Sequence, residues 1–330
     1  MKITVEKKLK NKKDLRIMFM GTPEFAKESL KALVENGYNV VAVFSQPDKP
    51  KGRGMQLCKS AVKEYAETQN IPVYQPVKVR NNEEVLEQIK SIKPDLAVVV
   101  AYGKILPKEM LEIPEYGCIN VHGSLLPKLR GSAPIQHSII NGDKETGITT
   151  MFMDAGMDTG DMLDKESLEI SEKDTYGDVY LKLASLGKDA LIKTLEKYAK
   201  GELEREKQGE EYTLAPPINK EDCVIDFSKA ANKINCLVRG VNPSPCARCI
   251  LENVEGNEII YKIYEAVEVE YIEEKAYKCG EIIKANAKEG LLVKALNSYI
   301  QIVTLQAAGG KKMNAKDYLR GKEIKGRFKC

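Results

Sequence analysis

Short apolar runs alternate with amphipathic segments over the first 200 residues, and this alternation limits the fold more than any other feature of the chain. Residues 15–20 and 40–44 are two such runs, and the amphipathic segment between them ends at Asn36-Gly37. Strand, helix and strand within ~30 residues form a βαβ unit, because parallel strands need a crossover connection. Similar patterns predict strands at 96–102, 118–121 and 148–153, and helices at 82–92, 131–141 and 174–200. The pattern predicts an α/β domain with a doubly wound, Rossmann-like sheet covered on both faces.

The sequence pattern changes after residue 200, from alternating strands and helices to a polar segment followed by short strands. Residues 201–215 are polar and read as a linker. After a predicted helix at 228–239, short alternating strands are predicted at 246–252, 258–270, 279–286, 290–296 and 299–307. This spacing is typical of a small OB-like β-barrel. We therefore expect a basic N-terminal extension over 1–14, a catalytic domain over 15–200, a linker over 201–215 and a barrel domain over 216–330.

Composition excludes several classes of protein. The 330 residues are 43% hydrophobic and carry a net charge of +3, which argues against a disordered chain. The charge is uneven, because residues 311–330 hold eight Lys or Arg against two acids. No apolar run reaches the ~18 residues of a membrane span, and the scattered cysteines fit a reducing, cytoplasmic setting. Cys246 and Cys249 form a single C-x-x-C, whereas a zinc ribbon needs a second pair, so we expect no metal.

The turn after the first predicted strand does not fit a dinucleotide site. Gly21-Thr22-Pro23 stands where G-x-G-x-x-G would be required, and no phosphate-binding P-loop motif is present. In an open α/β sheet, ligands bind at the carboxyl ends of the strands. The residues that follow the other strands are therefore the candidates for a site.

Polar side chains follow two of these strands. Asn120 and His122 are separated by one residue, so both project from the same face of the strand. An amide donor and an imidazole so placed could stabilise an oxyanion. The turn-rich segment 154–161 after the next strand holds Asp154, Asp158 and Asp161, and one of these carboxylates could accept a proton or orient the histidine. Spacing alone favours an ordinary polar strand end, and both interpretations stay open on this ground.

A longer set of residues resembles the folate-dependent formyltransferases. It comprises Asn120-x-His122-x-Ser124-Leu125-Leu126-Pro127, Arg130-Gly131, Asn141-Gly142-Asp143, Thr146-Gly147 and Asp158-Thr159-Gly160. The resemblance implies 10-formyltetrahydrofolate as the formyl donor and an amine as the acceptor. It implies that Asn120, His122 and Asp158 are catalytic, and that Ser124, Leu125, Leu126 and Pro127 bind the reduced folate. In this role Asp158 would support a protonated His122 and help to move protons.

Further segments are similar to the members of this family that formylate initiator methionyl-tRNA. They are Met20-Gly21-Thr22-Pro23-Glu24-Phe25-Ala26, Gln46-Pro47-Asp48, Lys51-Gly52-Arg53-Gly54, Ala133-Pro134-Ile135 and Leu214-Ala215-Pro216. The alternatives are a small-molecule or sugar-nucleotide N-formyltransferase, a 10-formyltetrahydrofolate hydrolase, and a folate-regulated RNA-binding protein without turnover.

The basic loop from Gln46 to Lys63 is the candidate contact for the tRNA acceptor end. It follows a strand at the crevice side of the sheet and has a net charge of +4. Lys51, Arg53 and Lys59 are the predicted tRNA-binding residues. Arg53 lies between two glycines, and its guanidinium can pair with a phosphate or stack on a base. The basic end of the predicted barrel domain could neutralise phosphates, so we expect this domain to bind tRNA. We also expect a monomer without membrane contact.

Overall fold

The computed structural model describes residues 2–51, 56–272 and 276–330. The chain divides into two compact units. The first contains residues 1–134, 145–169 and 180–216, and the second contains residues 135–144, 170–179 and 217–330. The predicted domain boundaries stay a prediction.

A mixed sheet forms the centre of the first unit. Its parallel half consists of β2 (Arg16–Gly21), β3 (Asn39–Phe44), β6 (Val73–Tyr74), β7 (Leu96–Val100) and β8 (Cys118–His122). These strands are in the order β8-β7-β2-β3-β6. The antiparallel half adds β9 (Glu145–Phe152), β10 (Met162–Glu169), β11 (Glu204–Glu206) and β1 (Lys2–Thr4) beyond β8. Every residue of β7 is buried, as a central strand with both faces covered requires.

Helices connect and cover these strands. They are α1 (Glu24–Glu35), α2 (Ala61–Thr68), α3 (Glu83–Ile92), the short α4 (Lys108–Leu111) and α6 (Tyr176–Lys200). Ser60 and Asn82 cap α2 and α3 with side-chain oxygens that accept from backbone N–H groups. A hairpin of β4 (Lys49–Lys51) and β5 (Gln56–Cys58) follows β3. The prediction of an α/β fold for this region is confirmed.

Two segments predicted as peripheral are built into the sheet of the first unit. The basic extension over 1–14 contains β1, which pairs antiparallel with β11. The segment predicted as a linker over 201–215 contains β11, which also pairs with β10. Both strands are polar and short, so they give no apolar signal in the sequence. The segment 201–215 is therefore not a free connection.

The second unit contains a nearly closed antiparallel barrel. Its strands are β12 (Ala247–Glu252), β13 (Glu258–Val269), β14 (Ile282–Asn286), β15 (Gly290–Lys294), β16 (Tyr299–Ala307), β17 (Met313–Asn314) and β18 (Arg327–Phe328). Six of them pair in the order β14-β15-β16-β13-β12-β18, and β17 pairs with β16. A bridge between Glu281 and Arg327 links the two ends of this order. Helices α7 (Ala231–Gly240) and α8 (Ala315–Gly321) belong to the same unit, as does α5 (Pro134–Asn141) from Ile135 onward. Alternate residues such as Cys249, Leu251 and Ile263 fill its core, and the predicted barrel is confirmed.

Candidate active site

The carboxyl ends of the parallel strands meet at one edge of the sheet, and hydrogen bonds tie the loops there together. The Thr22 hydroxyl, after β2, donates to the backbone oxygen of Tyr102, after β7, at 3.1 Å. The Gln46 amide, after β3, donates to the same oxygen at 3.1 Å and to that of Gly103 at 2.8 Å. This edge is where an α/β sheet binds its ligands.

Three predicted catalytic side chains converge at this edge. Asn120 is half-buried and His122 is buried, and both belong to β8. Asp158 lies in the loop after β9. The Asn120 Nδ2 is 3.4 Å from Asp158 Oδ1, and the His122 Nδ1 is 3.7 Å from Asp158 Oδ2. The structure thus brings together residues that are 38 positions apart in the sequence.

The backbone fixes which nitrogen of His122 faces the other two side chains. His122 Nε2 lies 3.0 Å from the backbone oxygen of Leu129. A carbonyl oxygen only accepts hydrogen bonds, so Nε2 must carry a proton and donate it. Nδ1 is therefore the ring nitrogen that faces Asp158. Sequence reasoning could place the histidine but not choose between its nitrogens.

The loop that carries Asp158 is held in a tight conformation. Asp154 Oδ1 accepts hydrogen bonds from the Gly156 N–H at 3.0 Å and from the Thr159 hydroxyl at 2.6 Å. A side chain at Gly160 would place its Cβ 1.9 Å from the backbone oxygen of Phe152, so only glycine fits there. Asp158 itself has a positive φ of 55°. A non-glycine residue in this region is held there by its surroundings.

A backbone donor fixes the Asp158 carboxylate. The N–H of Gly131 donates to Asp158 Oδ2 at 2.8 Å. The same oxygen faces His122 Nδ1, and the other oxygen faces the Asn120 amide. The carboxylate therefore lies between an imidazole and an amide, both at the carboxyl edge of the sheet.

The four predicted folate-binding residues follow β8 directly, and they divide into two pairs. Ser124 and Leu126 are buried, and the Thr149 hydroxyl donates to the Ser124 carbonyl and accepts from the Leu126 N–H. Leu126 packs in a cluster with two methionines of β9 and β10, so its side chain is a core residue. Leu125 and Pro127 are half-exposed and offer apolar surface after β8, as the predicted contact with a folate ring requires. The binding role of all four stays a prediction.

Two of the three predicted tRNA-binding residues, Lys51 and Lys59, lie in β4 and shortly after β5. Lys51 is the last residue of β4, and Arg53 lies outside the described residues. Lys59 Nζ is 2.6 Å from Glu67 Oε2, and this hydrogen bond raises the pKa of the lysine. Lys59 is thus a cation that already has an acidic neighbour. The contact of these residues with tRNA stays a prediction.

Residues of the predicted linker also reach the site, which the sequence reasoning missed. Gln208 donates to the backbone oxygens of Asp158 and Gly160, and Thr213 pairs with Leu129 and Arg130. The polar composition of 201–215 hides these contacts. The sequence feature that could have indicated a role for this segment is the family resemblance of Leu214-Ala215-Pro216.

The described residues contain no group of three or more His, Cys, Asp or Glu side chains placed to hold a metal ion. Cys246 and Cys249 are buried, and burial raises the pKa of both thiols, which disfavours the thiolate that zinc requires. The expected absence of metal stays a prediction. No helix in the described parts of the chain is both long and apolar enough to cross a membrane.

Comparison with known proteins agrees with this geometry. Residues 15–195 match the family Formyl transferase, and residues 217–323 match the Formyl transferase C-terminal domain, so the chain belongs to the formyl transferases. It is 48% identical over 311 residues to the methionyl-tRNA formyltransferase of Caldanaerobacter subterraneus subsp. tengcongensis, covering 94% of this chain and 98% of that one. Its identity to the enzyme of Clostridioides difficile is 46%, with the same coverage. Within the family, the chain is thus a member of the methionyl-tRNA formyltransferases.

A solved structure supports the fold. The N-formyltransferase of Helicobacter canadensis matches with a TM-score of 0.62 at 20% identity, over 90% of this chain and 99% of that chain. The resemblance drawn from the sequence motifs is therefore confirmed at the level of the family.

Proposed function

We propose that this chain transfers the formyl group of 10-formyltetrahydrofolate to the amino group of initiator methionyl-tRNA. The observation that carries the proposal is the convergence of Asn120, His122 and Asp158 at the carboxyl edge of the sheet. In the reaction, the formyl carbon exchanges a folate nitrogen for the amino acid nitrogen. The amine loses one proton and the folate nitrogen gains one, so the site must stabilise an oxygen and move a proton.

Asn120 is the proposed donor to the formyl oxygen. Its side-chain amide has two N–H groups, and one of them is directed at Asp158 Oδ1 at 3.4 Å. The other is available for the oxygen that becomes negative when the amine adds. A preorganised donor of this kind lowers a barrier by about 3–4 kcal/mol.

His122 and Asp158 are the proposed route for the proton. An α-amino group has a pKa of about 7.7–8.0, and an ester bond lowers it, so the acceptor amine is largely neutral near pH 8 without a strong base. The proton that leaves the amine during attack can pass to His122 Nδ1, because Nε2 is engaged with Leu129. The Asp158 carboxylate, 3.7 Å from Nδ1, stabilises the charged ring before the proton moves on.

The second part of the proposal concerns the residues that bind the tRNA. Lys51, Arg53 and Lys59 contact the acceptor end, and the barrel unit contributes affinity through its basic C-terminal segment. The protein acts in the cytoplasm as a monomer. Light scattering of the purified protein at micromolar concentration tests the oligomeric state.

The function is tested by following formyl transfer from 10-formyltetrahydrofolate with four acceptors: initiator methionyl-tRNA, the same tRNA uncharged, free methionine and an amino sugar nucleotide. We expect turnover with the first acceptor alone. Faster turnover with the sugar nucleotide would contradict the proposal in favour of a small-molecule formyltransferase. Release of formate without any acceptor would identify a hydrolase instead.

A further inference from the structure

Residues 207–215, which we call the strap, lie against the loops that surround His122. The Arg130 N–H donates to the Thr213 carbonyl at 2.9 Å, and the Ala215 N–H donates to the Arg130 carbonyl at 2.7 Å. The Ala133 N–H donates to the Ala215 carbonyl at 3.1 Å. The strap therefore pairs along the segment 129–133, directly after the predicted folate-binding residues.

One strap side chain, Gln208, is bonded at both ends of its amide. Its Nε2 donates to the backbone oxygens of Asp158 at 2.7 Å and Gly160 at 2.8 Å. Its Oε1 accepts from Arg130 Nε at 2.9 Å. Both N–H groups and one oxygen lone pair are thus in use, so Gln208 joins the loop of Asp158 to the segment of Arg130.

A second strap side chain, Thr213, acts on the other side of the imidazole. Its hydroxyl oxygen accepts from the Leu129 N–H at 2.8 Å. Leu129 in turn supplies the carbonyl that accepts from His122 Nε2. Leu129 has a φ of 60°, and Asp158 has a φ of 55°. Both neighbours of the His122 ring therefore have backbone conformations that need support, and the strap holds each of them.

We propose that Gln208 and Thr213 are positioning residues that set the geometry of His122 between Leu129 and Asp158. This inference rests on the proposed function for its effect on catalysis. A shift of about 1 Å in a reacting group can cost ~100-fold in rate, so removing the hydrogen bonds of either strap residue should reduce turnover. Glutamine is required at 208 because both its N–H groups donate to carbonyls, which a glutamate side chain cannot do.

The kinetic test uses conservative variants of each residue. Gln208→Met keeps the length of the side chain and removes all three hydrogen bonds, whereas Gln208→Glu keeps an acceptor for Arg130 alone. We expect both to lower kcat by about 10- to 100-fold, with the KM for tRNA within about threefold of the parent. Thr213→Val should lose about tenfold in kcat, and Thr213→Ser, which retains the hydroxyl, should stay within twofold. Glu210→Gln, at an exposed strap position, is the matched control.

A spectroscopic test does not depend on activity. The chain has two histidines, His122 and His137, so an imidazole 1H–15N spectrum contains two sets of signals, assigned with His137→Gln. In Gln208→Met and Thr213→Val, the His122 signals should shift while those of His137 stay in place and the Tm is within about 3 °C of the parent. Parent-like kcat and unshifted His122 signals in Gln208→Met would overturn the inference. The two proposals can also fail separately. If the parent protein transfers no formyl group but the His122 signals still shift in Gln208→Met, the positioning role of the strap is supported and the proposed function is contradicted.

Discussion

At the scale of single residues, the site depends on how one imidazole is bonded. The Leu129 carbonyl occupies Nε2 of His122, so Nδ1 is the nitrogen that meets Asp158. The amide of Asn120 faces the other oxygen of the same carboxylate. These contacts make the three side chains one unit, and their contributions to catalysis should not be additive.

The first prediction concerns this unit. Asn120→Ala, His122→Ala and Asp158→Ala should each lower kcat by about 10²–10³-fold, because each removes a group that we propose stabilises or relays charge in the transition state. Affinity for tRNA should be nearly unchanged. The double and triple variants should cost little beyond the worst single variant. Steady-state formylation measures this, with His137→Gln as control, and near-normal turnover in His122→Ala would refute the assignment.

At the scale of elements, the bounds of helices and strands can be predicted from the sequence where the apolar periodicity is strong. The helices predicted at 82–92 and 174–200 correspond to Glu83–Ile92 and Tyr176–Lys200. The helix predicted from 131 begins only at Pro134, because Gly131 has a φ of 126° and its backbone lies against Ala215. The strands β1 and β11 and the strap were missed, since their stability comes from pairing with distant polar residues rather than from local pattern. The tautomer of His122 depends on the backbone oxygen of Leu129, seven positions along the chain, and no local sequence pattern shows this contact.

The second prediction concerns the basic segment from Gln46 to Lys63. Arg53→Lys should impair formylation of charged initiator tRNA at both low and moderate salt, because an ammonium group cannot reproduce the paired contacts of a guanidinium. Lys49→Ala, on an exposed residue of β4, should lose modest affinity that depends on salt. The two variants are compared by steady-state kinetics. If Arg53→Lys equals the parent at both salt concentrations, Arg53 is only a solvated charge.

The third prediction concerns the N-terminal extension. Lys10 Nζ is 2.7 Å from Asp95 Oδ1, and the Arg16 N–H donates to Asp95 Oδ2 at 2.8 Å. Burial raises the pKa of Asp95, but the hydrogen bonds from Lys10 and Arg16 outweigh it and hold the pKa below its usual value. The carboxylate form is therefore favoured by folding. The contribution of the Asp95 carboxylate to the free energy of unfolding is complete above the ordinary aspartate pKa of about 3.9. It is lost as the pH falls through the lower pKa that Asp95 has in the folded protein.

Lys10→Met should consequently lower the Tm at pH 7 by about 2–4 °C, and the difference from the parent should shrink towards pH 3. Lys2→Met is the control, because the ion pair of Lys2 with Glu204 is exposed and contributes little. Thermal unfolding followed across this pH range gives the answer. A gap in Tm that is as large at pH 3 as at pH 7 would show that Lys10 acts through packing and not through Asp95.

At the scale of the whole molecule, the net charge of +3 conceals a strongly basic C-terminal segment. Some of its cations have acidic neighbours, such as Lys325 with Glu323, whereas Lys311 and Lys312 lie exposed before α8. Lys312 also lies over the ring of Tyr264, with Nζ 4.5 Å from the centroid. A basic surface on a barrel binds a polyanion through its phosphates, and its affinity then depends on salt.

The fourth prediction follows from that charge. The logarithm of the KM for tRNA should rise linearly with the logarithm of the salt concentration. Lys311→Ala with Lys312→Ala should reduce the slope by about 1 for each phosphate that the variant no longer neutralises. The KM for 10-formyltetrahydrofolate should change far less over the same range and serves as the internal control. A slope that the double variant leaves unchanged would exclude these two lysines from the tRNA interface.

The position of the strap has a consequence for anyone who divides this enzyme into parts. A catalytic fragment ending at residue 200, where the helix α6 ends, would leave Gln208 and Thr213 with the barrel. A fragment or gene fusion joined after Pro216 would keep both side chains beside His122. Exchange of barrels between members of this family should therefore preserve chemistry only when the junction lies beyond the strap.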